Sequence, residues 1–148
     1  MTHVAALTRA DHDEWLALWF DYLEFYESEL PAAQTLLTFE RILDPTVDIH
    51  GAIARDDTGR AIGIVHWLTH PATWSAGPYC YLEDLFVHPD ARGAGTASAL
   101  IAHVRDWAQE HGAAKVYWLT KDDNRRARAL YDRVATATGF VHYEIPID

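Results

Sequence analysis

Residues 81–97 read Tyr-Leu-Glu-Asp-Leu-Phe-Val-His-Pro-Asp-Ala-Arg-Gly-Ala-Gly-Thr-Ala and hold the chain's densest chemical information. An apolar strand leads into a tight turn, and a glycine-bearing segment then opens a helix. Gly93 and Gly95 allow backbone angles closed to other residues and let a ligand approach closely. The N–H groups at a helix start have no intrahelical acceptor, and the macrodipole favours negative charge beside them. This arrangement is an anion site suited to a pyrophosphate. It is not a P-loop, because no Gly-Lys-Ser/Thr follows. A dinucleotide-binding loop is also a poor match, since Ser98 stands where the third glycine belongs and no acid ends the next strand.

Within the same strand, Glu83 and Asp84 interrupt an apolar run. A carboxylate inside such a strand requires a partner or a task. Strict alternation places Tyr81, Glu83 and Leu85 on one face and Leu82, Asp84 and Phe86 on the other. A bulge would change which carboxylate faces a cleft, so either acid is a candidate proton acceptor. Other reactive types carry less. Cys80 reads as a buried strand thiol. His66 and His70 lie on a strand and its exit, and none of the 9 histidines forms a ligand cluster, so no metal is expected. Arg125, Arg126 and Arg128 could meet a phosphate, although such a run usually faces solvent.

The elements that position these residues follow from periodicity. Val4 to Leu7 reads as a strand, and Thr8 with Asp11 resembles a capping box. Trp15, Leu16, Trp19, Phe20, Leu23 and Tyr26 have helical spacing, and a second helix covers 35–43, before Pro45. A hairpin follows, with strands at 49–55 and 61–69 around Asp56-Asp57-Thr58-Gly59. After the 79–87 strand, a helix from Gly95 to His111 ends at Gly112. A strand at 115–119, a helix at 124–135 and a last strand at 140–145 complete the order β-α-α-β-β-β-α-β-α-β. The fold class is α/β, with a mixed α+β sheet in one domain spanning 1–148, and the strands flanking the Gly95 helix should run parallel.

Composition bounds the function classes. The chain has 148 residues, 49% hydrophobic and 23% charged, and a formal net charge of −10. That field disfavours nucleic acid and anionic membranes and favours a cationic substrate. No run approaches the ~20 apolar residues of a membrane span. A single cysteine and the lack of a leader pattern point to the cytoplasm.

Arg92-x-x-Gly95-x-Ala97, following a strand, resembles the Arg/Gln-x-x-Gly-x-Gly/Ala signature of the GNAT acetyltransferases. Asn124, Ala127, Ala129, Leu130 and Tyr131, then Gly139-Phe140, are similar to that family's second signature, in the right order. Tyr81 to Leu85, Tyr117-Trp118 and Ala127 to Arg133 look closest to its histone/polyamine/D-amino-acid and spermidine/spermine subgroups. Ala97 replaces the commoner glycine, and the Tyr131–Gly139 interval is longer than in many members.

The resemblance implies the GNAT fold, acetyl-CoA as co-substrate and an amine as acceptor. Backbone groups of Leu85, Phe86 and Val87 would pair with the pantetheine arm. N–H groups of Arg92, Gly93, Ala94, Gly95, Thr96 and Ala97 would hold the pyrophosphate, and Asn124 would touch the arm. Tyr131 would lie beside the sulfur, where a neutral phenol of pKa ~10 can protonate the departing thiolate. Glu83 would take the amine's proton, directly or through water, with Asp84 as the competing choice. Trp19, Tyr22, Tyr26 and Trp67 offer aromatic walls for an ammonium group, and Glu27, Glu83 and Asp84 offer charge; Trp19 suits core packing better still. The acceptor would be a polyamine, amino acid or similar small amine, and the enzyme a homodimer. A protein lysine acetyltransferase and a noncatalytic acyl-CoA sensor are the alternatives.

Overall fold

The computed structural model describes residues 1–148. They divide into two compact units, residues 1–117 and 118–148. The first contains β1 (His3–Ala6), α1 (His12–Phe25), α2 (Ala32–Leu43), β2 (His50–Arg55), β3 (Ala61–His70), β4 (Tyr79–Val87), α3 (Thr96–Glu110) and β5 (Lys115–Tyr117). The second contains α4 (Arg125–Val134).

The strands form one five-stranded sheet in the order β1-β2-β3-β4-β5. Neighbours from β1 to β4 are antiparallel, and β4 pairs parallel with β5, as the intervening helix requires. Each face carries its own core. On one, Trp15 and Leu18 of α1 and Phe39 of α2 pack over Ile53, Ile64 and Phe86. On the other, Leu100 and Val104 of α3 are fully buried, and Trp67 of β3 meets Trp107 and His103 of α3 at ring centroids of 5.6 and 5.8 Å. Each such side chain contributes about 1.5–3 kcal/mol on burial. Helices cover both faces, so β2 and β3 read as nearly continuous apolar runs.

Local chemistry fixes the entry to α1. The Asp11 carboxylate accepts from the Thr8 N–H at 2.9 Å, and Arg55 of β2 reaches Asp11 at 2.8 Å and Glu14 at 2.9 Å. Arg55 therefore ties the start of α1 to the sheet. The helix ends in a Schellman turn, with the Ser28 N–H donating to the Leu23 carbonyl and the Glu27 N–H to that of Glu24, both at 2.9 Å. Glu27 occupies the left-handed position of that turn, at φ 52°.

Two sequence expectations are corrected. Residues 140–145 form no strand; Phe140, Val141, Tyr143 and Ile145 are exposed and irregular. Apolar alternation reports a face to be covered, but it does not supply the neighbouring strand that completes a ladder. Strict alternation also fails along β4. The register of β3 on β4 shifts between His66↔Asp84 and Trp67↔Leu82, which leaves Glu83 as the extra residue of a bulge. Asp84 and Phe86 therefore face α1, whereas Leu82 shares the α3 face with Trp67.

A non-glycine residue at positive φ carries strain of ~1 kcal/mol or more. Glu27→Gly should raise the urea midpoint by an amount equivalent to about 0.5–1 kcal/mol. An unchanged or lower midpoint would mean that the glutamate side chain makes contacts outweighing its backbone strain.

Candidate active site

The sheet opens beside the bulge. β4 pairs with β5 only through Tyr79, Cys80 and Tyr81, so from Leu82 to Val87 its outer edge has no neighbouring strand. Leu85, Phe86 and Val87 pair with β3 on the inner side alone. Apart from the Val87 carbonyl, which accepts from Arg92 Nε, their outer backbone edge has no protein partner and could template an extended ligand arm, while the Phe86 ring is anchored in the α1 core.

The bulge presents two adjacent carboxylates in different surroundings. Asp84 Oδ1 accepts from the Tyr22 hydroxyl at 2.7 Å, and Oδ2 bonds His66 Nδ1 at 3.0 Å. His66 is 2% exposed, and its Nε2 receives the Trp15 indole N–H at 2.9 Å. Glu83 has no such partners. Its carboxyl is solvent-accessible, but the cleft walls strip enough water to hold its pKa above the usual carboxylate range. Desolvation is the main cause and the Asp84 charge the second. Desolvation and then Asp84 also push the Tyr22 phenol well upward, so it remains a donor.

Beyond β4, a short turn at Pro89–Ala91 leads to the cradle. Gly93 and Gly95 adopt φ 87° and 82°, and a Cβ built on either would meet open space. The first bond of α3 runs from the Ala99 N–H to the Gly95 carbonyl; no protein acceptor takes the N–H groups of residues 93–98. A row of unpaired donors around empty space at a helix N-terminus fits a pyrophosphate. Arg92 is held outside the row, with Nε on the Val87 carbonyl at 3.2 Å and its guanidinium over the Phe25 and Phe86 rings. Its side chain braces the turn, which leaves the anion to backbone groups. Thr96 is buried, with its hydroxyl 3.3 Å from that of Thr2.

The aromatic residues separate by depth. Tyr22 meets Tyr26 at 5.0 Å and stacks on Trp19 at 5.3 Å. Trp19 itself is core, its indole N–H bonded to Thr35. Tyr26 and Glu27 lie exposed at the end of α1. Trp67 is corrected: it is buried on the α3 face, opposite Tyr22 and Asp84, and cannot wall an acceptor there. Residue type marks Trp67 as a possible wall, but it does not say which face of β3 meets which helix. In the second unit, Asn124 caps α4 by accepting from the Ala127 N–H at 3.3 Å, and the Tyr131 ring meets that of Trp118 at 5.4 Å.

Sequence reasoning treats His66 only as a candidate metal ligand and gives Tyr117 no role of its own. Tyr117 stacks on Tyr81 at 5.0 Å, and its hydroxyl lies 2.8 Å from Nε2 of His70. The available signal was a histidine within the apolar run Ile64-Val65-His66-Trp67. Cys80 is buried, and its thiol is pushed up to about 11, mainly by desolvation, which makes it a poor nucleophile. No cluster of three or more His, Cys, Asp or Glu could hold a metal ion, and no helix is long and apolar enough to cross a membrane.

The sequence profile of the Acetyltransferase (GNAT) family matches residues 11–135. The chain belongs to the GNAT acetyltransferase family. It is an N-acetyltransferase, and the family implies acetyl-CoA as co-substrate. Among its relatives, the D-amino-acid N-acetyltransferase HPA3 of Saccharomyces cerevisiae is 39% identical over 142 residues, covering 95% of this chain and 88% of that protein. The thialysine N-epsilon-acetyltransferase of Caenorhabditis elegans is 29% identical over 111 residues, covering 67% and 69%. The same GNAT fold recurs in AAC(6')-Iy, solved with a CoA-linked bisubstrate analogue, at TM-score 0.86 and 22% identity over 100% of this chain and 99% of that one.

If the glycine cradle binds the cofactor's phosphates, acetyl-CoA should raise the melting temperature of the wild-type enzyme by mass action. Gly95→Glu adds bulk and negative charge at a left-handed position and should abolish that rise. An undiminished rise in the folded variant would move the phosphate site elsewhere.

Proposed function

We propose that this GNAT enzyme transfers acetyl from acetyl-CoA to a primary amine on a small cationic acceptor by direct attack. Glu83 acts as base and Tyr131 as acid within a single catalytic domain. The observation carrying this reading is the bulge that sets Glu83, unpartnered and with raised proton affinity, beside the anionic Asp84 where the sheet opens.

Bound acetyl-CoA supplies the activated carbonyl. An alkyl ammonium of pKa ~10 is unreactive until it loses a proton, and Glu83 accepts that proton at its carboxylate. Asp84 and the rings of Tyr22 and Tyr26 favour the cationic form on arrival. The free edge of Leu85, Phe86 and Val87 aligns the arm, and the N–H groups from Gly93 onward hold its phosphates. Tyr131, matched to the second family signature, donates its phenolic proton to the leaving sulfur; Asn124, matched to the same signature, orders the arm. The D-amino-acid and thialysine activities in the names of the two relatives support an amino-acid-like or polyamine acceptor.

A homodimer belongs to the same proposal. The outer edge of β5 pairs with no strand, and Phe140, Val141, Tyr143, Ile145 and Ile147 leave an apolar run exposed. Sedimentation equilibrium should return twice the chain mass; a monomer at micromolar concentration would remove this part of the reading.

A panel of D-lysine, thialysine, spermidine and a lysine peptide, scored by free thiol release, tests the activity. Glu83→Gln should lower kcat/KM at neutral pH by about 10²-fold or more and recover partly as rising pH deprotonates the amine. In the wild type, activity should fall as pH drops through the pKa of Glu83, above the ordinary carboxylate value of ~4.3, because only the ionised form accepts a proton. Tyr131→Phe should lower kcat without weakening acetyl-CoA. Parallel pH profiles for wild type and Glu83→Gln would exclude Glu83 as base, and binding without any transfer would indicate a sensor.

A further inference from the structure

The chain of contacts behind Asp84 fixes a protonation state by geometry. An indole N–H can only donate, so the Trp15 contact at 2.9 Å requires a lone pair on His66 Nε2. The ring proton must then sit on Nδ1, where it donates to Asp84 Oδ2 at 3.0 Å. A second ring proton would point at the indole N–H. Trp15 and His66 are 0% and 2% exposed, so no water can take up that clash. The His66–Asp84 contact is therefore a hydrogen bond from a neutral imidazole and no ion pair. The other oxygen of Asp84 holds the Tyr22 phenol, also neutral, and no lysine or arginine pairs with the carboxylate. Asp84 thus has one donor on each oxygen and a further lone pair on each left open, and its charge stays uncompensated, with the side chain 16% exposed next to Glu83.

We propose that His66 is a positioning residue for acetyl transfer: Trp15 locks it as the neutral Nδ1–H tautomer, and it holds Asp84 as an unneutralised anion that seats the acceptor's ammonium beside Glu83. This rests on the proposed reading of Glu83 and Asp84 as the acceptor side of the site. Buried carboxylates usually gain a cationic partner. Here two neutral donors orient the carboxylate, and the cation is left for the substrate to bring. Asp84 is accordingly assigned to holding the ammonium, through the lone pair left on each oxygen, and Glu83 to taking its proton. The titratable groups facing the pair are Glu83 and Tyr81 on β4 and Tyr22 and Tyr26 on α1.

Trp15→Phe keeps an aromatic ring but removes the indole N–H together with part of the ring's buried volume, freeing His66 Nε2 to take a proton; the double variant below carries the same loss of volume and controls for it. The imidazolium would then neutralise Asp84. With D-lysine as acceptor, KM in this variant should rise about tenfold between pH ~8 and ~5.5 relative to wild type, with kcat nearly unchanged. The double variant Trp15→Phe/His66→Gln cannot take up that charge and should lose the pH-dependent part of the KM defect. A packing role alone would lower stability in both variants and leave their KM profiles parallel to wild type, overturning the proposal. Independently of turnover, ¹⁵N NMR of wild-type His66 should show a protonated Nδ1 and an unprotonated Nε2 throughout that range. Protonation of Nε2 within it would equally overturn the assignment. A tautomer and KM response as described, alongside an unimpaired Glu83→Gln, would sink the base assignment and leave this one standing.

Discussion

One extra residue in β4 organises the first unit. The bulge at Glu83 shifts the register between β3 and β4, turning Asp84 and Phe86 toward α1 while Leu82 packs on the α3 side. Without it Leu82 would share a face with Asp84, and either an apolar side chain would line the cleft or a carboxylate would enter the α3 core. The second outcome would cost several kcal/mol. Ladder pairing to β5 also ends just before it, at Tyr81↔Tyr117. Carboxylates and a free backbone edge therefore arise at one point of the sheet.

The same strand carries the division of charge. Its middle presents acids at Glu83 and Asp84, and its far end leads through His88 and Pro89 into unpaired N–H groups at the start of α3. In the proposed reading, an anionic ligand and a cationic one are drawn to opposite ends of this one short segment. Arg92, stacked on Phe25 and Phe86, locks the turn to α1. Few degrees of freedom remain between the two ends, as reaction between two bound molecules requires.

The glycine turn before α3 was legible because its signal is local: two glycines at set spacing, a preceding strand and a following helix, and both glycines take left-handed angles. The order of elements was legible through periodicity for the same reason. Tertiary pairing was not. The depth of Trp67 depended on which helix covers which face, and the 140–145 run lacked the strand needed to complete it. The partners of His66 come from α1 and β4, 51 and 18 residues away, and no spacing rule connects them. Asn124 and Tyr131 were found by motif alone, and that likeness, together with the chemistry of a phenol, supports their proposed roles.

Two neighbouring acids of almost equal intrinsic strength are given different behaviour by their surroundings. Asp84 receives a donor on each oxygen, and these fix the orientation of its carboxylate. Glu83 receives none; desolvation and the fixed charge beside it raise its affinity for a proton. One carboxylate is therefore held in place by donors, and the other is made readier to take up a proton. Exchanging the two residues would preserve composition and net charge. It would fail because the donors from Tyr22 and His66 reach only the position that the bulge turns toward α1.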